Sequence, residues 1–538
     1  MVMPTLAGDP GPVRLPASLL DRPATNCQDF TAVKARPRLR SVERPRYAPW
    51  DTFPLGLVMK VLDAVEFNQA DPGKALDRAL AGVHPGLAAW VRHACRTYLE
   101  SFEELRCEQP RVVQGDGRVL TAWGRWYGSV DGSVVEFRRL RMRHPSGSAD
   151  SPATVAAAFV AAAGDPVADP KRLYHDIPVP VELAAARPQR VRVVEVGLTT
   201  GVQKVLIDAS PEEIRRQYDR VARPKAAALL AGGVRQPGAD CSSCKIGPAC
   251  SALPHTPGML GLDDRGTHRR TWSVTTSRYY EICPAQAHLR ELRLPAEWDT
   301  TSAVQRGRDV HRWLEQAHRR GVPCEPADLP VLAAEVMADE DYDAALPYLL
   351  QHLEVCPLRG PGVITEVRPE PVLTAYDSRA DVVVLAHPDL LRRVDGRLVY
   401  REQKTSACPR GITEENVLAA VPQLALAVCL IAAGLFGTAE GLVELEQLHP
   451  HEAPPVIVLD AADPEVVATA RRIVHERAVR WHRDVTFTAT PGWWCDSCPV
   501  SRWCPQSDGQ ARPRGGEVVL GAAAGFLDDP GPETEDWS

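Results

Sequence analysis

Two apolar stretches in the second half of the chain predict neighbouring β-strands. The first, DVVVLAHPDLL, is rich in β-branched residues and ends around Pro388-Asp389. A Val-Asp-Gly turn follows, and RLVYREQKT then predicts the second strand of a hairpin. Because alternate residues of a strand share a face, we expect Glu402 and Lys404 to point the same way, toward Asp389 on the neighbouring strand. The pattern therefore predicts two carboxylates and one ammonium group at one place.

Helix-forming stretches accompany strands in both halves of the chain. VPQLALAVCLIAA carries Gln423 in the second half, and ATVAAAFVAAA, Ala153 to Ala163, holds the corresponding place in the first. We interpret the alanine-rich stretch as a packing helix. Strands interleaved with helices predict an α/β fold in which mixed sheets are flanked by helices.

Eight of the fourteen cysteines form two sets with the same pattern, a remote cysteine followed after almost the same distance by C-x2-C-x5-C. The second-half set consists of Cys283, Cys495, Cys498 and Cys504. The first-half set consists of Cys27, Cys241, Cys244 and Cys250. The other six cysteines are scattered, and we expect them to be buried small hydrophobic side chains: Cys95, Cys107, Cys324, Cys356, Cys408 and Cys429.

The repeated spacing favours a metal site over disulfides for both sets. The Met1 end has no positively charged leader followed by an apolar stretch, which predicts a cytoplasmic protein whose thiols stay reduced. Structural zinc ligands usually come as two close pairs, whereas iron-sulfur clusters tolerate irregular spacing. We therefore expect a 4Fe-4S cluster on the second set and a candidate second cluster on the first, with zinc as the alternative.

A metal site that joins the two ends of a segment also predicts domain limits. We expect a first domain over residues 1–252, a linker over 253–270, a second domain over 271–508 and a disordered acidic tail over 509–538. A length of 538 residues allows this division. The net charge of −7 argues against a generally basic nucleic-acid-binding surface but permits a local one. No apolar run approaches the length of a membrane span, so we expect no membrane association.

Two carboxylates beside an ammonium group suit metal-assisted hydrolysis of a phosphodiester. Asp389 and Glu402 would hold Mg2+ or Mn2+, while Lys404 would orient a water molecule or stabilise the transition state. Each residue also has a structural interpretation, since Asp389 could end a strand and Glu402 to Lys404 could form a solvated edge. Their joint occurrence favours catalysis.

These residues resemble the PD-(D/E)XK nuclease superfamily, and with the second cysteine set they resemble its RecB-type iron-sulfur branch, which includes the AddB nuclease domain. The name-giving motif matches Pro388-Asp389 and Glu402-Gln403-Lys404. GRDVHRWLE is similar to the family's G-x-x-x-H helix, which implies that His311 is a further metal ligand. Gln423 matches the glutamine of the helix that follows, and by the same resemblance it counts as a catalytic residue. Ala427 stands where many members have a tyrosine.

The resemblance implies a restriction-endonuclease-like domain that acts as a metal-dependent DNA exonuclease in repair, recombination or defence. Related domains often work beside a helicase, so a helicase or another repair or defence subunit is an expected partner besides DNA. The chain itself has no G-x-x-x-x-G-K-[ST] motif. Glu366 is a candidate further acid of the same sheet. The alternative from another class is a non-catalytic nucleic-acid-binding or scaffold subunit with structural clusters.

Aligning the two halves on their cysteines predicts a duplication. We expect two tandem PD-(D/E)XK domains, each closed by a four-cysteine site, of which the first is degenerate. In this alignment the active-site positions of the first half are occupied by Lys60, Arg125, Arg138, Leu140 and Phe159. Such a set could hardly hold a metal ion.

A basic stripe is expected in the first half. In FRRLRMR, alternation places Arg139, Arg141 and Arg143 on one strand face. Guanidinium groups suit phosphate oxygens, so this face is a candidate nucleic-acid-binding surface. The alternative is a solvated strand edge.

Overall fold

The computed structural model describes residues 6–23, 26–41, 53–101, 105–115, 117–169, 176–181, 187–266, 268–297, 302–408 and 411–507. We call the described residues before 253 the first half and those from 271 onwards the second half. The acidic tail predicted at 509–538 lies outside the described residues. Each half contains a five-stranded sheet and covering helices. The described part of the first half adds a four-stranded and a two-stranded sheet, and that of the second half adds a three-stranded sheet. Within the described ranges, every helix is too short or too polar to cross a membrane.

The first half alternates helices and strands. Its helices are α1 (Gln28–Lys34), α2 (Pro54–Glu66), α3 (Pro72–Leu80), α4 (Pro85–Glu100), α5 (Pro152–Ala163), α6 (Pro211–Gln217) and α7 (Arg223–Ala231). Its strands are β1 (Leu6–Ala7), β2 (Val13–Pro16), β3 (Arg40–Ser41), β4 (Arg106–Cys107), β5 (Arg111–Gly115), β6 (Arg118–Thr121), β7 (Arg125–Gly128), β8 (Val134–Arg141), β9 (Asp165–Pro166), β10 (Arg190–Gly197) and β11 (Gln203–Ala209).

The second half is built in the same manner. Its helices are α8 (Val274–Ile282), α9 (Pro284–Glu291), α10 (Ser302–Arg319), α11 (Asp328–Val336), α12 (Asp339–Val355), α13 (Val417–Ala420), α14 (Pro422–Ala432) and α15 (Pro464–Arg483). Its strands are β12 (Arg270–Trp272), β13 (Ile364–Pro369), β14 (Leu373–Asp377), β15 (Val382–Ala386), β16 (Leu390–Val394), β17 (Arg397–Thr405), β18 (Gly441–Leu448) and β19 (Ile457–Asp460).

The two five-stranded sheets have the same strand order and the same strand directions. The order is β11-β10-β8-β7-β4 in the first half and β19-β18-β17-β16-β13 in the second. The parallel pair of each sheet, β8 with β10 or β17 with β18, is connected through a crossover that contains α5 or α14. In the smaller sheets, β2-β6-β5 and β12-β15-β14 each combine one parallel and one antiparallel pair. The expected mixed sheets flanked by helices are therefore present in both halves.

Local sequence signals explain how the central elements begin and turn. The helix α5 starts at Pro152, and the hydroxyl of Ser151 caps its first turn. The helix α14 likewise starts with Pro422. A tight turn joins β16 to β17, and its residues Asp395 and Gly396 have φ values of 49° and 80°. These positive angles are the ones that Asp-Gly adopts in a two-residue hairpin, so the predicted turn and second strand are present.

The first strand of the hairpin is β16, which begins after Asp389. The apolar run before Pro388 instead forms β15 of the smaller sheet, so the prediction of one continuous strand is wrong.

The helix that covers each main sheet identifies equivalent strand positions in the two halves. The helix α5 packs on the face of β8 that carries Phe137, and α14 packs on the face of β17 that carries Tyr400. Phe137 therefore corresponds to Tyr400. The alignment made from the turns is wrong by one residue, because Arg138 and Leu140 alternate with Phe137 and so belong to the opposite face.

The expected basic stripe is not an exposed surface. Arg139 and Arg141 lie on the α5 side, and both contact Glu195 of β10, at 3.3 Å from Nη1 of Arg139 and 2.8 Å from Nε of Arg141. Glu195 is 0 % exposed and also accepts backbone N–H groups at 3.0 and 2.7 Å. Arg143 is exposed, but it lies beyond the end of β8. The prediction failed because alternation gives the face of a side chain and not whether that face is covered.

The helical positions of the sequence alignment also need correction. Because α5 and α14 both begin with proline, the residue equivalent to Gln423 is Ala153 rather than Phe159. Lys60, expected at the place of His311, is exposed. Arg125 instead forms ion pairs with two carboxylates of α2. In the corrected register, Arg139 and Arg141 correspond to Glu402 and Lys404, and Gly124 corresponds to Asp389.

The two halves contact each other through their cysteine-containing turns. In the first half, Cys241 packs on Tyr376 and Val383 of the second half. In return, Trp503 of the second half packs in a core with Leu87 of α4. Each set of turns therefore belongs to the packing of both halves.

The segment predicted as a linker is packed against the second half. Leu260 and Leu262 are buried in the core of the second half. The backbone N–H groups of Gly258 and Leu260 donate to the two carboxylate oxygens of Asp377 at 2.8 and 2.9 Å. This connecting segment is therefore a packed part of the second half and not an exposed linker.

We expect Glu195→Gln to destabilise the first half, because two buried guanidinium groups lose their anionic partner. The free energy of unfolding should fall by about 3 kcal/mol, as when one member of a buried ion pair is removed. Urea unfolding followed by tryptophan fluorescence measures the change. Glu212→Gln, at a carboxylate that is 83 % exposed, is the matched control and should leave the unfolding midpoint unchanged. Equal midpoints for both variants would contradict a structural role for Glu195.

Candidate functional site

The strand pair β16 and β17 brings the predicted motif residues together. The register pairs Leu390 with Arg401, so Asp389, one residue earlier, lies opposite Glu402. The backbone N–H of Gln403 donates to Oδ2 of Asp389 at 2.5 Å. Asp389 is therefore held by the strand that carries the rest of the motif.

Glu402 and Lys404 share one face of β17, as predicted. Nζ of Lys404 lies 3.0 Å from Oε2 of Glu402, and the hydroxyl of Tyr400 donates to Oε1 at 3.2 Å. Glu402 is 2 % exposed. Its buried carboxylate is thus compensated by one ammonium and one hydroxyl group from its own strand.

His311 reaches the same place from α10. Its Nδ1 lies 2.7 Å from Oδ1 of Asp389 and 3.7 Å from Oε1 of Glu370. One helical turn earlier, a Cβ at Gly307 would lie 3.2 Å from Oγ1 of Thr405. The glycine of the G-x-x-x-H pattern therefore lets α10 approach the end of β17, which brings the histidine to the acid.

Glu370 is the further acid of the site, and it was not predicted. It follows β13 with a φ of 46°, and its N–H donates to the carbonyl oxygen of Asp389 at 3.1 Å. Glu366, the expected acid, instead pairs with Arg393 at 3.2 Å. The left-handed conformation is rare outside glycine and asparagine and turns the Glu370 side chain toward the site. Nothing in the local sequence signals this conformation, since a residue before proline is normally extended.

Ligand-type atoms of His311, Glu370 and Asp389 all lie within 4.8 Å of one another. The side chains of His311 and Glu370 keep 25 % and 32 % of their surface exposed. The group is therefore accessible from solvent, as a site for a substrate must be.

His311, Glu370 and Asp389 shift one another's pKa values. Burial alone would lower the pKa of His311, but Asp389 and Glu370 raise it well above its ordinary value. Burial raises the pKa of Glu370 to about 7, and the charge of Asp389 adds to this effect. Burial would raise the pKa of Asp389 too, but His311 and Lys404 hold it below its ordinary value. Two carboxyl groups beside one imidazole, one buried and one partly exposed, are also suited to a metal cation.

Gln423 lies at the start of α14, which packs against β17. Its Nε2 is buried and has no hydrogen-bond partner among the described residues. A buried amide donor without a partner is costly in a folded protein. No described residue therefore accounts for this donor of Gln423.

The second cysteine set gathers around one concavity. Cys283, Cys495, Cys498 and Cys504 all line it. The N–H groups of Thr490 and Gly492 donate to the sulfurs of Cys283 and Cys495 at 3.4 Å each. Burial, with the neighbouring cysteines adding to it, raises the pKa of Cys498 to about 12.

The first cysteine set has the same local geometry. The N–H of Gly238 donates to the sulfur of Cys241 at 3.4 Å, three residues apart as in the second set. Cys27 caps α1 just as Cys283 precedes α9, and it accepts the N–H of Phe30 at 3.4 Å. Burial and the other cysteines of the set raise the pKa of Cys244 to about 12.

Ligand atoms of three or more side chains come within 4.8 Å of one another in two groups of the described residues, and neither contains a cysteine of these sets. For the cysteine sets, the preference for an iron-sulfur cluster over zinc stays a prediction from their spacing in the sequence.

The second compact group was missed by the sequence analysis. It consists of His318, Cys324, His352 and Cys356, all buried. Cys324 and Cys356 were expected to be buried small hydrophobic side chains, and both are buried within a hydrophobic cluster. What the sequence did not reveal is that they lie together with two histidines. Cys408, from the same prediction, is exposed.

Comparison with known proteins identifies the fold of the second half. A sequence model of the PD-(D/E)XK nuclease superfamily matches residues 271–505. This range includes the group around Asp389 and the second cysteine set. The second half therefore has the PD-(D/E)XK fold, in agreement with the motif. No curated protein matches the chain.

Two solved structures are similar to parts of the chain. One is a protein from Eubacterium rectale described as a candidate exonuclease, with 12 % identity, a TM-score of 0.29, and coverage of 42 % of this chain and 86 % of its own. The other is the protein SSO0001, with 17 % identity, a TM-score of 0.19, and coverage of 37 % and 84 %.

Glu370→Gln should weaken binding of Mn2+ to the second half by at least about tenfold, because the group loses an anionic oxygen. Titration followed by the electron paramagnetic resonance signal of free Mn2+ measures the affinity. Glu366→Gln, four residues earlier and paired with arginine, is the matched control and should bind as the unmodified protein does. Equal weakening in both variants would argue against Glu370 as part of the site.

Proposed function

We propose that the protein is a metal-dependent deoxyribonuclease with its active site in the second half. The observation that carries this proposal is the convergence of Asp389, Glu402 and Lys404, from a matched PD-(D/E)XK segment, with His311 and Glu370. Acids, an ammonium group and an imidazole at one accessible place form a suitable set for hydrolysis of a phosphodiester.

The donor set fits a hard divalent cation. Carboxylate oxygens of Asp389, Glu370 and Glu402, with Nδ1 of His311, are ligands that Mg2+ or Mn2+ accepts. Bound there, the ion would neutralise charge on the phosphate and lower the pKa of a water molecule.

The chain's own groups would orient the phosphate and the water. Lys404, fixed by Glu402 at 3.0 Å, keeps a positive charge beside the scissile bond and can donate to a phosphate oxygen or to the water. Nε2 of Gln423 is a buried donor that a substrate or ordered water could satisfy. Tyr400 restrains Glu402 through its hydroxyl.

We propose further that the enzyme is an exonuclease of the RecB-like iron-sulfur type. The support is the second cysteine set, which joins α9 to the turns after α15 and so closes the segment that carries the active site. Four thiolates around one concavity, with N–H donors to sulfur, fit a 4Fe-4S cluster. The first set, with the same geometry, is proposed to hold a second cluster.

The first half is proposed to be a degenerate duplicate, with domain limits at 1–252 and 271–508. Identical strand order and identical cysteine turns support common descent of the halves. The ion cluster of Arg139, Arg141 and Glu195 fills the place that corresponds to Glu402 and Lys404. A cytoplasmic location, and DNA with a helicase or other repair or defence subunit as partners, stay predictions.

Alanine in place of Asp389, Glu402 or Lys404 should lower the rate of Mg2+- or Mn2+-dependent DNA cleavage by at least about a hundredfold, since several kcal/mol of transition-state stabilisation are lost. The assay uses end-labelled single and double strands, with circular dichroism to check folding. Glu366→Ala, on the same sheet, should cleave normally.

Covalently closed circular DNA tests whether the enzyme is an exonuclease. An exonuclease degrades linear DNA and spares circles. Cleavage of circles would contradict the exonuclease assignment, and DNA binding without cleavage under any metal condition would favour a non-catalytic binding or scaffold subunit. Unchanged cleavage in all three variants would remove the proposed active site.

Anaerobic purification should yield about eight irons per chain if both cysteine sets hold 4Fe-4S clusters. Cys495→Ser and Cys250→Ser should each lose about half of this iron, because each disrupts one set. Cys429→Ser, at a buried cysteine outside both sets, is the control and should keep all of it. Zinc on these sets in place of iron would overturn the cluster assignment.

A further inference from the structure

Four buried side chains that the nuclease chemistry does not use converge at one point of the second half. His318 is near the end of α10, and Cys324 follows in the loop to α11. His352 and Cys356 lie four residues apart at the end of α12. Their exposed fractions are 1, 0, 0 and 5 %. The group is therefore shielded from solvent, and it contains two sulfur and two nitrogen donors.

The distances in the group match those of a tetrahedral metal site. Nε2 of His318 lies 3.2 Å from Nε2 of His352, and Sγ of Cys324 lies 3.7 Å from the same nitrogen. All four donor atoms lie within 4.8 Å of one another. Zinc with ordinary bond lengths would separate two nitrogens by about 3.3 Å and a nitrogen from a sulfur by about 3.6 Å.

A hydrogen-bonded network alone explains the arrangement less well. Nδ1 of His352 contacts a carboxylate oxygen of Glu446 at 2.6 Å, so this nitrogen carries the proton when the imidazole is neutral. The other nitrogen, Nε2, then offers a lone pair to the centre of the group. His318 and the two cysteines also present nitrogen or sulfur to that centre, where a cation would satisfy all four.

The surroundings of His352 are those of a metal-bound histidine. Glu446, which accepts from Nδ1, also receives Nε of Arg401 at 2.9 Å and Nε2 of Gln403 at 2.7 Å. A carboxylate behind a ligating imidazole fixes the tautomer and the orientation of the ring. Here that carboxylate is itself held by two residues of β17.

We propose that His318, Cys324, His352 and Cys356 bind one structural zinc ion. Four protein ligands with no open position are typical of a structural rather than a catalytic zinc site. Two imidazoles and two thiolates select zinc over the oxygen-preferring Mg2+ and Mn2+ of the active site. The compact spacing also separates this group from the two wider cysteine sets. The proposal is independent of the proposed nuclease function.

The zinc site would connect both sides of the active site. His318 lies two helical turns after His311 on α10, about 10 Å along the helix axis. From the other side, Glu446 holds Gln403, whose N–H binds Asp389. The ion therefore ties the helix that carries the histidine to the strand that carries the acids. Loss of the ion should make the position of α10 relative to β17 less fixed, although every active-site residue is still present.

Zinc content and zinc coordination test the proposal on the full-length protein. We expect about one zinc per chain in addition to any iron. X-ray absorption at the zinc edge should show two sulfur neighbours at about 2.3 Å and two nitrogen neighbours at about 2.0 Å. Zinc surrounded by four sulfurs would place it on the cysteine sets, and a protein purified with added zinc that still lacks it would also overturn the proposal.

Variants locate the ion. His318→Ala and Cys356→Ser should each lose the zinc, while Cys429→Ser and Cys95→Ser, at buried cysteines outside the group, should retain it. Glu446→Gln keeps all four ligands and should weaken zinc binding by about tenfold or more, measured by competition with a chelator. Full zinc retention in both ligand variants would contradict the assignment. If the ligand variants do not fold, the absorption spectrum of the unmodified protein still decides.

Discussion

The parallel pairing of β17 with β18 is the interaction on which both donor groups of the second half depend. Alternation along β17 turns Glu402 and Lys404 toward α14, and it turns Arg401 and Gln403 toward Glu446 and α12. A shift of the pairing by one residue would exchange these two sets of side chains. One strand therefore fixes the position of the acids on one face and of the cysteine-histidine group on the other.

The face of the sheet toward α12 is unusual because it buries charges rather than apolar side chains. Arg392 donates to both oxygens of Glu444 at 3.0 Å, and Arg401 binds Glu444 and Glu446 at 3.1 and 2.9 Å. Each buried charge has a partner of opposite sign, so the layer tolerates the low dielectric of the interior. Any displaced strand would leave one of these charges alone, which makes the register costly to change.

The sequence alone was sufficient to predict those features of the site that depend on residues close together in the chain. The hairpin, the shared face of Glu402 and Lys404, and their approach to Asp389 follow from alternation and one tight turn. Glu370 could not be found in this way, because its position depends on a single left-handed residue and on pairing with a strand 20 residues later. The group around His352 was invisible because its four members come from two separate helices and a loop.

The comparison of the halves failed for a related reason. An alignment through turns ignores which face a helix covers, and one extra residue in the turn before β8 reverses every assignment along the strand. Arg139 and Arg141 looked like an external basic stripe because Glu195, which neutralises them, lies more than 50 residues away on β10. Whether these charged side chains are buried thus depends on a partner that is distant in the sequence.

The reciprocal packing of the cysteine turns makes each half a part of the other's core. The turn at Cys241 covers Tyr376 and Val383 of the second half, and Trp503 packs beside Leu87 of the first half. A substitution that displaces one of these turns would therefore expose apolar side chains of the neighbouring half to water. The first half thus contributes to the stability of the second half, whether or not it has an activity of its own.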